Sequence, residues 1–364
     1  MSALRLRRTF FCGSVALGDY SLLERLLHRL ALSSVSVSEL LFQLERTRLG
    51  ATPSCSDAIY VTGLARSGTT ALLQALHATG DFSSSTYADM PFVLAPNLWA
   101  KVQSGSRGPA STVERAHGDG IRVGLQSAEA FEEVFWRMSC GDAYICPGHL
   151  LEHRVPLESV TELRELQRVV CARHGAPRYL AKNNNHLLRL RSLAPQVPDM
   201  MFLVVFRRPL EQSESLLRQH RRFLSADRFT RQYMTWLVHH EFGATHRPLV
   251  FNGADRTAVE GAEGAALEVS YWIDRWIDGY SHVLHVIREG HPNIIPVSHE
   301  RLCEDPVYRR SLAQRVGVPD IELPPRGEAD PVDASASAGR RSVDEASDVY
   351  LELDEISRRA LSLG

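Results

Sequence analysis

One stretch of eight residues narrows what this chain can fold into more than any other: Gly63-Leu64-Ala65-Arg66-Ser67-Gly68-Thr69-Thr70. It is entered from a short apolar, β-branched run, Ala58 to Thr62. It is left through a helical pattern from about Ser67 to Gly80 that keeps Leu72, Leu73 and Leu76 on one face. Strand, glycine turn and helix in that order make an anion cradle. The glycines let the backbone wrap the anion, several N–H groups point inward, and the helix N-terminus adds a favourable dipole. Gly63, Arg66, Ser67, Gly68, Thr69 and Thr70 are the candidate anion-binding residues. A nucleotide triphosphatase would carry lysine where Thr69 stands and an acid at the end of a later apolar strand to hold Mg²⁺. The most apolar strand here, Met201 to Phe206, ends in Arg207 and Arg208. A metal–nucleotide triphosphatase is therefore disfavoured.

The surrounding pattern is that of an α/β fold with a P-loop-like parallel sheet flanked by helices. Tyr179 to Ala181, Met201 to Phe206 and Ile294 to Val297 are nearly free of polar residues and are separated by helical segments, as in a sheet covered on both faces. A helix from about Glu268 to Glu289 carries Trp272, Trp276 and Tyr280 at helical spacing, which reads as core. Residues 21 to 50 read as two amphipathic helices with capping boxes at Ser21/Glu24 and Ser36/Glu39. Leu22, Leu23, Leu26, Leu27 and Leu30 form one apolar face, Val37, Leu40, Leu41 and Leu44 the other, and Gly50 is the stop. Ser104 to Gly120 reads as a surface loop, Ala128 to Met138 as helix, and Pro324 to Ser347 as a flexible segment. The expected organisation is a helical extension over 1–56, an α/β domain with helical insertions over 57–323, and a flexible segment with a C-terminal helix over 324–364.

Charge excludes a diffuse electrostatic partner. The 41 basic and 43 acidic residues of the 364 leave a net charge of -2, so nucleic acid or an anionic membrane finds no global basic field and any anion must be held locally. The six cysteines form no CxxC pair, which argues for structural thiols in a reducing compartment and against a disulfide or zinc scaffold. Arg5, Arg7 and Arg8 precede a stretch too broken by glycine and serine for a secretion signal. The longest apolar run, Met200 to Phe206, is far short of the ~20 residues that span a bilayer. The expectation is a cytoplasmic protein with no transmembrane anchor.

An arginine in the loop without a metal carboxylate suits transfer of a group less charged than a phosphoryl. The segment YVTGLARSGTTALLQAL, Tyr60 to Leu76, resembles the 5′-phosphosulfate loop of sulfotransferases that use 3′-phosphoadenosine 5′-phosphosulfate (PAPS). Its RSGTT core is similar to the branch that includes protein-tyrosine and many bacterial sulfotransferases. FLVVFRRPLEQSESLLRQ, Phe202 to Gln219, resembles the same family's 3′-phosphate motif, which implies Arg207 and Ser215 as the phosphate grip; the family often has Asp where Arg208 stands. A guanidinium at a strand end and a hydroxyl two turns into the next helix can converge on one phosphate. IPVSHERLCEDP, Ile295 to Pro306, is similar to the strand and acidic turn that follow in the family, so the resemblance spans roughly 57 to 320.

The resemblance implies PAPS as co-substrate, no metal, and direct in-line transfer to a hydroxyl or amine of a small-molecule, carbohydrate or lipid acceptor, without nucleic acid. A P-loop kinase and a non-catalytic nucleotide binder are the alternatives. Arg66 and the threonines would offset charge on the leaving phosphate. A carboxylate about 20 residues past the loop acts as base in the related branch, which points to Asp89 in Thr86-Tyr87-Ala88-Asp89-Met90-Pro91. Lys182 holds the place of a lysine that contacts the sulfuryl group. Only Lys101 and Lys182 among the 41 basic residues are lysine, and a compact ammonium suits a single bridging oxygen. Some relatives carry a histidine base two residues after that lysine; here Asn184 stands there, and His186 two further on is the remaining candidate. His239, His240, Glu241 and His246 lack the four-residue spacing of a zinc helix and read as pocket wall or surface. Gly339-Arg340-Arg341 is similar to a basic C-terminal segment that closes over the 3′-phosphate.

Overall fold

Met200–Phe206 is buried almost without interruption, because it has neighbours on both edges and a layer of helices on each face. The structure, a computed structural model, describes residues 22–50, 55–103, 113–114, 122–251, 262–323 and 340–362. The central sheet holds β1 (Ala58–Thr62), β2 (Phe82–Ser83), β3 (Arg178–Lys182), β4 (Met200–Phe206) and β5 (Ile294–Ser298) in the order β2-β3-β1-β4-β5. All four pairings are parallel, so every strand ends on the same side. Alternation sends Tyr60, Phe202 and Phe206 to one face and Ile59, Val61, Leu203 and Val205 to the other, and both sets are buried.

The principal helices are α1 (Leu22–Ser33), α2 (Val35–Leu49), α3 (Thr69–Ala78), α4 (Glu133–Cys140), α5 (Leu157–His174), α6 (Pro209–Leu224), α7 (Val269–Arg288) and α8 (Arg340–Ser362). Strands β1, β3, β4 and β5, the loop between β1 and α3, and the Trp/Tyr core of α7 stand where the sequence predicts, while the two-residue β2 is not among the predicted strands. Among the described residues no helix is long and apolar enough to cross a membrane.

Five expectations are corrected. Helix α2 is capped by Ser34, whose Oγ accepts from Val37 N at 3.3 Å, rather than by Ser36; Ser21 lies outside the described residues. The leucine faces are turned: Leu26, Leu30, Leu40 and Leu44 are each more than half exposed, while Ala31, Leu32, Phe42 and Glu45 point inward. The buried Glu45 carboxylate explains the rotation, because it accepts from Asn97 N (2.9 Å) and Leu98 N (3.0 Å) and caps the helix Pro96–Gln103. Helix α4 begins at Glu133, not Ala128, since Ala128 bridges to Thr86 and Glu129 N donates to Ser85 O at 3.2 Å. Helix α8 starts at Arg340, inside the segment expected to be flexible, and is pinned where Tyr350 donates to Glu300 (3.1 Å) and Arg301 donates to Asp354 (2.5 and 2.7 Å). Finally, Cys55 and Cys171 form a disulfide across 116 residues, with Cα atoms 6.4 Å apart. Spacing hides such a pair, so it does not support the inference of free thiols in a reducing compartment. Cys140, Cys146 and Cys303 are free.

A buried polar network ties the helical layer to the sheet. Arg189 donates to both oxygens of Glu133 (2.6 and 2.9 Å) with each residue essentially sealed from solvent. Tyr144 Oη (2.5 Å) and Asn183 Nδ2 (2.5 Å) donate to the same carboxylate, and the guanidinium lies over Trp136, 4.6 Å from its centroid. Burial alone would raise the Glu133 carboxyl, but Arg189 and these hydrogen bonds bring it down to about 2. Removing one partner leaves the other charge buried and alone, so Glu133→Gln is expected to cost about 3–5 kcal/mol near neutral pH. A carboxyl depressed in the folded state stabilises above its ordinary value of 4.5 and loses that contribution as pH falls toward about 2. Denaturant unfolding of wild type and Glu133→Gln across pH 7 to 2 should therefore show two stabilities that converge between those values.

Candidate active site

Three adjacent strands deliver the candidate residues to one edge. Val61 is the register partner of Lys182 on β3, and Thr62 of Val204 on β4. The glycine loop leaving β1 thus starts between Lys182 and the end of β4, where Arg207 begins the next turn. Ligands of open α/β sheets bind at this carboxyl edge.

The loop needs its glycines at two points. Gly63 has φ +140°, and a Cβ there would stand 2.2 Å from Val205 O; Gly68 has φ +104°, and a Cβ would stand 2.3 Å from His299 Nδ1. Arg66 also has positive φ, 68°, unusual for a residue with a side chain. The loop carbonyls are held by Gln212 of α6, which is fully buried and donates to Ala65 O (3.0 Å) and Leu64 O (3.3 Å). Gln212 in turn accepts from Trp276 Nε1 at 3.0 Å. The first turn of a helix carries N–H groups that the helix itself does not use, and α3 begins at Thr69, directly after the loop. Ser67, Thr69 and Thr70 are all buried.

The two motifs meet directly: Arg66 Nε donates to Ser215 Oγ at 3.1 Å, across 149 residues of sequence. Arg207 Nη2 is 3.2 Å from Glu211 Oε2, while its Nε is buried and has no hydrogen-bond partner. Trp276 Nε1 also donates to Arg207 O at 3.1 Å, which fixes the strand end. The loop arginine and the α6 hydroxyl are thus joined, and Arg207 stands at the end of β4, just before α6. Arg208 turns away and pairs with Glu211.

Lys182 is buried, with Nζ 3.5 Å from Glu129 Oε1. Glu129 also accepts from Ala130 N (3.0 Å) and, at Oε2, from Tyr87 Oη (3.3 Å). This carboxylate escaped the sequence reading because the helical pattern from Ala128 hid it inside a predicted helix. Asp89 belongs elsewhere: its Oδ2 accepts from Thr86 N (2.8 Å) and Thr86 Oγ1 (3.2 Å) and lies 2.9 Å from His174 Nε2, with Arg173 3.4 Å from Oδ1. It caps the turn Tyr87–Asp89 and, among the described residues, makes no hydrogen bond or ion pair with Lys182 or the loop, while its Oδ1 is buried without a hydrogen-bond partner. His186 is fully buried, edge-on to Tyr60 at 4.8 Å, with Nε2 3.0 Å from Glu132 Oε1. Burial lowers its pKa, and the ring packs as core. Arg340 and Arg341 open α8, and their side chains, like Gly339, lie outside the described residues.

Three asparagines follow Lys182 and divide the work. Asn183 N donates to Val61 O (3.1 Å) and its amide to Glu133. Asn185 Nδ2 donates to Val238 O (3.1 Å), and Asn184 Nδ2 to Glu241 Oε1 (3.0 Å). The last contact brings in the histidine-rich segment: His240, Glu241 and His246 line a pocket against Leu64 and Ala65 of the loop.

The fold thus joins a parallel sheet, a glycine loop with Thr69 where a Walker sequence carries lysine, an arginine at the end of β4 and a serine on α6. The description of the sulfotransferase family matches residues 58–271, more than half of the chain. The protein belongs to that family. Solved structures similar to it include sulfotransferase STF1 from Mycobacterium tuberculosis (15% identity, 93% of this chain and 86% of that one, TM-score 0.46) and STF9 from Mycobacterium avium (14%, 94% and 83%, TM-score 0.39). A sulfotransferase from Alicyclobacillus acidocaldarius is a third (14%, 86% and 96%, TM-score 0.34). No curated protein matches the sequence.

The loop geometry predicts a sharp contrast between two glycines. Gly63→Ala should lower the free energy of unfolding by about 2 kcal/mol or more, because the new methyl meets backbone at an unfavourable φ. Gly148→Ala, where a Cβ meets nothing within 4 Å, should leave it within about 0.5 kcal/mol. Chemical denaturation of the two variants checks this.

Proposed function

We propose that this protein transfers the sulfuryl group of PAPS to a hydroxyl or amine acceptor by direct in-line displacement, releasing 3′-phosphoadenosine 5′-phosphate (PAP). The observation that carries the reading is the Arg66–Ser215 hydrogen bond, taken with an Arg207 Nε that is buried without a hydrogen-bond partner. Two anion subsites, one of loop amides and one of strand-end guanidinium and hydroxyl, suit a nucleotide with phosphates at both 5′ and 3′ positions, which ATP and ADP lack. Gly63, Ser67, Gly68, Thr69 and Thr70 would hold the 5′ side with Arg66, and Arg207 with Ser215 the 3′ side.

In the reaction the acceptor oxygen or nitrogen forms a bond to sulfur as the bond from sulfur to the bridging oxygen of the 5′-phosphate breaks. The acceptor's proton passes to a carboxylate. We assign that role to Glu129 in place of Asp89, because Glu129 lies beside Lys182 and is oriented by Tyr87 and Ala130 N, whereas Asp89 is consumed as a cap. Lys182, leaving Glu129, and Arg66 would offset the charge that develops on the departing phosphate.

PAP should bind without Mg²⁺ and at least tenfold more tightly than ADP or ATP in titration calorimetry; tighter, Mg²⁺-dependent ATP binding would overturn the reading in favour of a kinase. With labelled PAPS and a panel of carbohydrates, lipids, phenols and peptides supplying an acceptor, Glu129→Gln should lower kcat about 10²–10⁴-fold with PAP affinity unchanged. Full turnover by Glu129→Gln would remove Glu129 from the mechanism. Arg207→Gln should weaken PAP binding about tenfold or more, in line with loss of a charge-assisted hydrogen bond worth about 1.5–3 kcal/mol.

A further inference from the structure

The pocket beside the loop offers a specific set of unsatisfied groups. Its walls include Leu64 and Ala65 of the loop, Asn184, His240, Arg247 and Arg275. Asn184, 8% exposed, turns its Nδ2 to Glu241, leaving Oδ1 buried without a partner. His240, 1% exposed, donates from Nδ1 to Thr245 O at 2.7 Å, and burial holds its pKa down to about 4. The ring is neutral near pH 7, so its buried, unpartnered Nε2 is a hydrogen-bond acceptor. Arg275 contributes the opposite need: one terminal nitrogen pairs with Asp278 at 2.8 Å, while Nε is buried and unpartnered. The Arg247 guanidinium is partly desolvated, which lowers its pKa, and no carboxylate pairs with it among the described residues.

Two buried acceptors call for hydroxyl or amine donors, and a partly buried guanidinium without a counter-ion calls for an oxyanion. We infer that this pocket is a recognition subsite beside the loop for the polar, non-reacting end of an acceptor that carries both hydroxyl groups and an oxyanion, the class of sugar acids and sugar phosphates. Asn184 Oδ1 and His240 Nε2 receive its hydroxyl protons, and Arg247 binds its carboxylate or phosphate. The volume, about 50 Å³, is several times the roughly 10–15 Å³ that one water needs, which suits a terminal group rather than a whole acceptor. Its place fits transfer: Asn184 is two residues beyond Lys182, and the loop itself forms a wall. The inference rests on the sulfotransferase reading for the word acceptor, but the recognition chemistry stands on the pocket alone.

Three probes test it by calorimetry on the full chain in the presence and absence of PAP: D-glucuronate, glucose 6-phosphate and glucose. At least one acidic sugar should bind tenfold or more tightly than glucose, the two acidic arms deciding between carboxylate and phosphate. Arg247→Gln should abolish that preference, Arg247→Lys should retain part of it, and PAP affinity should stay within twofold in both. Asn184→Leu should weaken all three sugars, a second check should Arg247→Gln melt at a markedly lower temperature. Equal binding of the three sugars, no binding of any, or a preference that survives Arg247→Gln overturns the inference. So does a parallel fall in PAP affinity, which would assign Arg247 to the nucleotide. If sugars bind as expected while PAP does not bind wild type, the donor reading fails and the subsite stands; the reverse outcome sinks the subsite alone.

Discussion

Everything functional here hangs on β1 being gripped in parallel register by two neighbours at once. Its residues pair with β3 on one side and β4 on the other, all five are buried, and the chain must leave the sheet between two strand ends already occupied by backbone. Gly63 resolves that crowding by passing close to Val205 O with a φ that side chains avoid. In the turn that follows, Gln212 holds the carbonyls of Leu64 and Ala65. The same register sets Lys182 and Arg207 on either side of the loop.

The polar network under the site serves the same end. A buried ion pair is weak support for stability, since desolving both charges offsets much of their attraction. Glu133 and Arg189 nevertheless come with further partners: Tyr144 and Asn183 donate to the carboxylate, and the guanidinium lies over two aromatic faces. Asn183 is the residue after Lys182, and Glu133 is four residues after Glu129. One charge pair therefore fixes the origin of both the candidate base and its lysine neighbour, a positioning role beside its pH-dependent contribution to stability.

How much of this could be read from the chain alone differs by kind of residue. The positions of the glycine loop, the strand-end arginine and the helix serine were legible because each is set within a single strand-turn-helix unit. Core strands and the α7 stripe were legible from periodicity. The leucine faces of α1 and α2 were misread, since amphipathic spacing says which residues share a face but not which face meets the protein; the buried Glu45 decided that. Asp89 was read as a base from its distance past the loop, and distance in sequence cannot see that Thr86, Arg173 and His174 would take its oxygens. Glu129 carried no signal, because an isolated glutamate in an apparent helix looks like solvated surface until the bridge from Ala128 to Thr86 straightens the chain.

By itself, then, the sequence determined the elements whose chemistry is local: the anion loop, the apolar strands, the arginine and serine that follow β4, and the family they announce. Only the tertiary structure decided the pairings that join distant segments. Arg66 meets Ser215 across 149 residues, Cys55 meets Cys171 across 116, and His240 comes to the loop through Asn184 and Glu241. The physical reason is the same in each case. A hydrogen bond or a covalent bridge needs atoms within a few ångströms, and for residues far apart in sequence only the packing of the sheet and its helices sets that distance.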